Sequence, residues 1–333
     1  MKKNNQPYTP PYEITQIIVD LVERIGEALG RLSLTDQEPS TPRLRRQTRI
    51  KSVQASLHIE GNTLNLDQVT AVLDGKRVLG APREIQEVHN AFAAYEQMEN
   101  LDSGSRDDLC RVHAVLMHGL VDAPGSYRRG GVGIQRGDDV VHVAPPADRV
   151  PFLLAELLEW LKKTEAHPLI ASSVFHYEFE FIHPFSDGNG RLGRFWQTLI
   201  LGRWKPIFFF IPIESVIRDR QVEYYAALRM GDETGDSTPF IEFLLSAILV
   251  ACQALTGEVT GEVTGEVKKL LKVLTIPMNR TELQRQLKLK SQANFRERYL
   301  LPALTAGLIE MTIPDKPRSS KQQYRLTSKG KRV

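Results

Sequence analysis

The stretch that decides the fold is His183-Pro-Phe-Ser-Asp-Gly-Asn-Gly-Arg-Leu-Gly-Arg194, set between two apolar helical runs at residues 169–181 and 195–201. Its composition reads as a loop running into a helix. Gly188, Asn189 and Gly190 would present consecutive backbone N–H groups at that helix N-terminus, a concave anion site with no side chain to keep a phosphate from the main chain. Arg191 and Arg194, three apart, lie near one another on the first turns and reach different phosphates through charge-assisted hydrogen bonds. One nucleoside triphosphate satisfies all of these groups. Asp187 beside the loop is suited to Mg²⁺, which prefers oxygen ligands shared with substrate phosphates. An imidazole such as that of His183 can be neutral at cellular pH and accept the proton of an attacking hydroxyl. Phe185, between them, anchors the loop in the core.

Outward from this stretch, helical periodicity covers residues 14–32, 68–73, 84–98, 106–120 and 150–163, with polar breaks between them. The body is therefore mainly α. Residues 130–144 (GGVGIQRGDDVVHVA) are the exception: β-prone runs at 132–135 and 140–143 flank a turn-like Arg-Gly-Asp-Asp, predicting a hairpin or flap. An isolated hairpin is marginal alone, so it leans on the helices and leaves an edge for an extended peptide. Three copies of Thr-Gly-Glu-Val at 256–267 read as a linker. Beyond it, helices at 280–287 and 292–306 and strands at 308–313 and 323–326 predict a small winged helix-turn-helix, with Pro302 expected to kink or end its helix.

The 333 residues, 41% hydrophobic and 25% charged, suffice for about two globular domains and exclude a disordered or fibrous chain. Net charge is +3, but residues 268–333 hold 16 Lys/Arg against 4 Asp/Glu, leaving 27 against 36 before them. A basic tail on an acidic body points to an acidic partner for the tail, nucleic acid first. Cys110 and Cys252 lie far apart without metal-ligand grouping, which argues against a disulfide framework and for reducing cytoplasm. The polar N-terminus does not resemble a signal peptide. Residues 240–255 (FIEFLLSAILVACQAL) are short for a membrane span and carry Glu242, so they read as a buried core helix. His113, His118 and His176 lack metal-ligand spacing and read as structural.

The string 183–194 resembles the Fic-family signature HxFxxGNGRxxR, with an acidic residue added at the metal position. It matches at His183, Phe185, Asp187, Gly188, Asn189, Gly190, Arg191 and Arg194. The resemblance extends over roughly residues 30–250, including Gly125-Ser-Tyr-Arg before the hairpin and His142-Val-Ala-Pro-Pro after it, both similar to the family's flap region. It implies a Fic-type helical bundle with a β-hairpin flap. The expected layout is an N-terminal helical region over 1–105 with an inhibitory helix near 52–62, a catalytic core over 106–255, the linker and a winged helix over 268–333. Most Fic proteins transfer AMP from ATP to a Ser, Thr or Tyr hydroxyl. By that likeness His183 is the general base, Asp187 binds Mg²⁺, the 188–191 loop holds the α- and β-phosphates and Arg194 the γ-phosphate. Retention of Gly-Asn-Gly favours AMP transfer over phosphoryl transfer.

Ser56-Leu-His-Ile-Glu60-Gly61 resembles the inhibitory motif (S/T)xxxE(G/N) that one class of the family carries before the core. Glu60 would pair with Arg194 and occupy the guanidinium that the γ-phosphate needs. Residues 218–225 resemble the adenine-lining region, with Tyr224 or Tyr225 stacking on the purine. The expected partners are a target protein along residues 130–144, DNA through 268–333 and a second copy of the chain, with no membrane. Two alternatives stand beside AMP transfer: a DNA-binding regulator whose body senses nucleotide, and removal of AMP by a water that Glu60 positions.

Overall fold

The computed structural model describes residues 8–34, 42–131, 133–136, 139–256, 265–289, 291–305, 307–313, 319, 321–327 and 330. They form two compact units, Met1–Cys252 and Gln253–Val333. The first is a helical bundle of α1 (Gln16–Leu34), α2 (Pro42–Ile59), α3 (Leu66–Leu73), α4 (Pro82–Gln97), α5 (Arg106–Leu116), α6 (Val150–Lys163), α7 (Pro168–Ile182), α8 (Asn189–Trp204), α9 (Ile213–Asp219), α10 (Gln221–Thr234) and α11 (Thr238–Thr256). Between α5 and α6, strands β1 (Gly133–Arg136) and β2 (Asp139–Val143) pair antiparallel from Gly133↔Val143 to Arg136↔Asp139, with an irregularity after Ile134.

The core is organised on the α7–α8 hairpin. Phe175, Phe179, Phe185, Leu192, Phe195, Trp196 and Leu199 are fully buried there, each large apolar side chain contributing about 1.5–3 kcal/mol. The chain reverses between these helices in six residues. His183 ends α7 in the left-handed region (φ 48°), and Gly188 opens α8 at φ 83°, which only glycine adopts without strain. α2 crosses this hairpin with polar residues turned inward, because each meets a partner. Ser52 Oγ donates to Glu214 (2.8 Å), Gln54 Nε2 donates to the Leu64 carbonyl (3.2 Å), and Ser56 faces Arg194. α11, whose length and composition would also suit a membrane span, is largely buried, and its Glu242 accepts from Thr15 Oγ1 (2.7 Å).

The second unit runs α12 (Gly265–Val273), α13 (Arg280–Gln286), α14 (Gln292–Phe295), a π-helical turn at Arg296–Leu300, α15 (Leu301–Thr305), β3 (Ile309–Met311) and β4 (Tyr324–Leu326). β3 and β4 pair antiparallel from Ile309↔Leu326 to Met311↔Tyr324, and Met278, outside both strands, exchanges backbone hydrogen bonds with Tyr324. Pro302 does not end its helix: it stands second in α15, directly after the π-helical turn, and α15 runs on to Thr305. Of the expected linker at 256–267, residues 257–264 lie outside the described residues. Thr256 closes α11 and Gly265–Val267 open α12 instead, since buried Val267 joins Leu270 and Leu274 in this unit's core.

Candidate active site

The loop 183–188 is pinned by its own side chains. Asn189 accepts from the Phe185 N–H (3.0 Å) and donates to the Phe185 carbonyl (2.9 Å), closing the loop like a staple. Phe185 stacks on His113, centroids 3.7 Å apart and planes 8° off parallel. His113 Nδ1 accepts from the Gly125 N–H (2.8 Å), so its proton sits on Nε2 and donates to the Asp187 carbonyl (2.9 Å). Burial pushes this imidazole down to about 4, only partly offset by the bond to Asp187. A neutral histidine therefore supports the loop from beneath. Above it, α8 begins at Asn189, and the first N–H groups of a helix have no partner within it. A Cβ on Gly188 would meet Met117 Sδ at 2.5 Å, and one on Gly190 would meet Glu60 Oε1 at 2.5 Å and Arg194 Nη1 at 3.1 Å. Both glycines are therefore packed too closely for any side chain, Gly188 against Met117 and Gly190 against the Glu60–Arg194 pair.

Arg194, one turn into α8, is 1% exposed. Its Nε donates to Ser56 Oγ (3.2 Å), and Nη2 donates to the Ser56 carbonyl (3.0 Å) and to Glu60 Oε1 (2.8 Å). Nη1 is buried without a hydrogen-bond partner among the described residues. Burial alone would favour the neutral guanidinium, but the Glu60 carboxylate more than compensates and raises its pKa. Glu60 sits where α2 ends: the amides of Glu60 and Asn62 bond back to the Leu57 carbonyl, and Gly61 takes φ 92°. The structure thus brings Ser56 and Glu60 to Arg194, with Gly61 turning the chain just after Glu60.

Arg191 is not open to a ligand in this arrangement. Its Nη1 donates to Glu87 (3.1 Å) and Nη2 to Asp187 Oδ1 (3.0 Å), while its buried Nε has no partner among the described residues. Asp187 Oδ1 also accepts from the Gly188 N–H (2.6 Å), and Oδ2 pairs with Arg83 (3.2 Å). His183, half-buried, opens the loop. Its carbonyl accepts from Arg128 Nε (2.7 Å), and the same guanidinium reaches the carbonyls of Ile182, Gly130 and Pro145, tying the histidine to the base of the hairpin.

Residues 100–201 match the Fic/DOC family, and residues 265–327 match "Filamentation induced by cAMP protein Fic-like, C-terminal domain". A crystal structure of a Fic family protein from Desulfovibrio desulfuricans G20 is 55% identical and covers 97% of this chain and 99% of that one, at a TM-score of 0.73. The chain belongs to the Fic family. Curated relatives include the protein adenylyltransferase Fic of Aedes aegypti, 27% identical over 67% of this chain and 45% of that protein. The protein adenylyltransferase fic-1 of Caenorhabditis elegans is 30% identical over 65% of this chain and 42% of that protein. The chain spans about half the length of the curated relatives it matches.

Within this Fic core, one expected site residue is in the wrong place for its role. Tyr224 is 1% exposed, its hydroxyl 3.2 Å from His176 Nε2 and its ring among Phe240 and Phe243, so it offers no face to a purine. Burial pushes its hydroxyl pKa well up. The neighbouring Tyr225 is half-buried with its hydroxyl 3.5 Å from the Ile59 carbonyl, and it keeps the candidacy. His113 and His176 are structural, as expected from their spacing. The sequence reading missed Arg83, Glu87 and Arg128. Arg128 closes the Gly125-Ser-Tyr-Arg run already noted; Arg83 and Glu87 stand one turn apart on one helix face, which on its own reads as solvated.

Proposed function

We propose that this Fic protein transfers AMP from ATP to a hydroxyl side chain of a protein, itself included, and that Glu60 restrains the transfer. The carrying observation is that Glu60 occupies the buried guanidinium of Arg194, beside a glycine-flanked helix N-terminus and a loop that opens on His183. ATP would lie with its α- and β-phosphates along the 188–191 loop at the start of α8. Arg194 would take the γ-phosphate once Glu60 withdraws, and its Nη1 is already beside Gly190. His183 would accept the proton as the hydroxyl oxygen bonds to the α-phosphorus and the bond to pyrophosphate breaks. Catalysis is then mostly positioning and charge neutralisation.

Asp187 fits Mg²⁺, because its carboxylate is partly exposed beside the anion site and magnesium usually takes only one or two carboxylates along with substrate phosphates. When bound, the metal would supply charge neutralisation at the phosphates. Arg83 and Arg191 hold that carboxylate meanwhile. A target segment would dock on the edge of the β1–β2 hairpin, whose strands pair only with each other among the described residues. For the second unit we propose duplex DNA as partner of a winged helix-turn-helix. Supporting this are the α13-to-α15 arrangement before the β3–β4 pair, exposed Gln292, Asn294 and Arg296, and the excess of Lys/Arg.

The test uses ATP labelled on the α- or the γ-phosphate, with wild-type and Glu60→Gly chains. Protein labelled from α alone is the expected result. Label from γ means phosphoryl transfer, and no label from either in Glu60→Gly leaves nucleotide sensing as the reading.

A further inference from the structure

α4 holds the turn that follows Glu60, and it does so with side chains that also hold the anion loop. Glu84 accepts from the Thr63 N–H (2.6 Å) and the Thr63 hydroxyl (2.8 Å). One turn on, Glu87 reaches in both directions. Its Oε1 accepts from Arg191 Nη1 (3.1 Å), and its Oε2 accepts from Asn62 Nδ2 (2.9 Å). Asn62 is 5% exposed, donates also to the Glu84 carbonyl (3.2 Å) and accepts from the Leu64 N–H (3.1 Å). The inhibitory turn is therefore attached to α8 twice: directly by Glu60 on Arg194, and through Asn62 and Glu87 on Arg191. Arg191 in turn holds Asp187, whose other oxygen is held by Arg83.

We propose that Glu87 is a positioning residue that couples the anion loop to the Glu60 turn: through Asn62 it keeps Glu60 on Arg194, and ligand uptake at Arg191 and Asp187 loosens that hold. This deepens the proposed function and rests on it. The chain is built of charged, largely buried hydrogen bonds, with Glu87 13% and Arg191 5% exposed at the side chain. Such bonds resist solvent exchange and transmit a change at one end. The coupling is reciprocal: whatever frees Glu60 must equally favour ligand at Arg191 and Asp187. Glu87 touches no reacting atom in this account.

Two single substitutions cut the link at Asn62 by different chemistry. In Asn62→Asp the donor facing Glu87 becomes an acceptor and the bond to the Glu84 carbonyl goes with it, while the bond from the Leu64 N–H survives. In Glu87→Gln the amide can accept from Arg191 but then turns its NH₂ toward the Asn62 NH₂. Each should raise magnesium–ATP affinity and AMP incorporation about tenfold in the full chain, within the usual range of coupling between sites. Each should also speed hydrogen exchange at the Gly61 amide, which reads the turn without any catalysis. Combined, they recreate the hydrogen bond with donor and acceptor exchanged, and all three readouts should return at least threefold toward wild type. In a Glu60→Gly background neither substitution should change affinity or incorporation more than about twofold.

Unchanged Gly61 exchange in both single variants overturns the proposal, as does an Asn62→Asp effect of equal size with and without Glu60. So does a Glu87→Gln chain that merely loses activity while Asn62→Asp is silent, since that is the behaviour of a simple support for Arg191. If Glu60→Gly neither binds nor transfers, the functional reading fails, and the exchange data alone then judge the coupling.

Discussion

Replacing Glu60 by glycine should make the protein more active and less stable at once. The substitution removes the carboxylate 2.8 Å from a guanidinium that is 1% exposed. A hydrogen bond to a charged group contributes about 1.5–3 kcal/mol, and ATP no longer has to displace it, so affinity for magnesium–ATP should rise about 10- to 150-fold. Incorporation of α-labelled AMP should follow at subsaturating ATP. The folded state meanwhile loses the partner of Arg194, which keeps its two contacts to Ser56. A loss of about 2 kcal/mol lowers Tm by about 4–8 °C in a unit of this size. Isothermal calorimetry and thermal unfolding of the same preparation read both effects, and Glu60→Gln should fall between. A Tm that drops while ATP affinity stays at the wild-type value refutes the reasoning, because Glu60 would then be a structural ion pair with no bearing on the anion site.

Stability should also depend on pH through His113. The unfolded imidazole titrates at about 6.5 and the buried one at about 4, so between these values only the unfolded chain takes the proton. Stability is full above about pH 6.5 and declines toward pH 4, by on the order of 3 kcal/mol, and His113→Asn should flatten that slope in Tm measurements. Gly188→Ala places a Cβ 2.5 Å from Met117 Sδ at φ 83°, so it should lower Tm and weaken ATP binding together, with about 1–2 kcal/mol from the backbone conformation alone. DNA affinity of the full chain should fall about a hundredfold or more between about 50 and 200 mM salt. Affinity indifferent to salt would point to a protein partner for the second unit.

What the sequence made legible was local. The 183–194 string states its loop and helix outright, because the left-handed turn at Gly188 and the staple of Asn189 on Phe185 answer to constraints within a few positions. Helix α4 was expected at 84–98 and runs Pro82–Gln97, with proline at its first turn, where no N–H is needed. In the second unit the elements from α13 to β4 fell within a few residues of expectation, since their caps and turns are also local, whereas α12 had no expected counterpart. The features that escaped are joined across the chain. Most of α2 carried no periodic signal because Ser52, Gln54 and Ser56 face inward to partners 162, 10 and 138 residues away. Glu87 reaches Arg191 across 104 residues, and nothing around it distinguishes it from a surface carboxylate. Tyr224 could be placed against the purine only while the burying helix α11 was unknown as its neighbour. The linker ran too far because Val267 looks like another repeat residue until the core it enters is seen.

The most direct test of the central claim separates holding ATP from using it. In a Glu60→Gly background, His183→Ala should bind magnesium–ATP with the affinity of its His183 parent and place no α-label on protein. Transfer that persists without the imidazole, or ATP binding that disappears with it, would contradict the division of labour between the α8 cradle and the histidine.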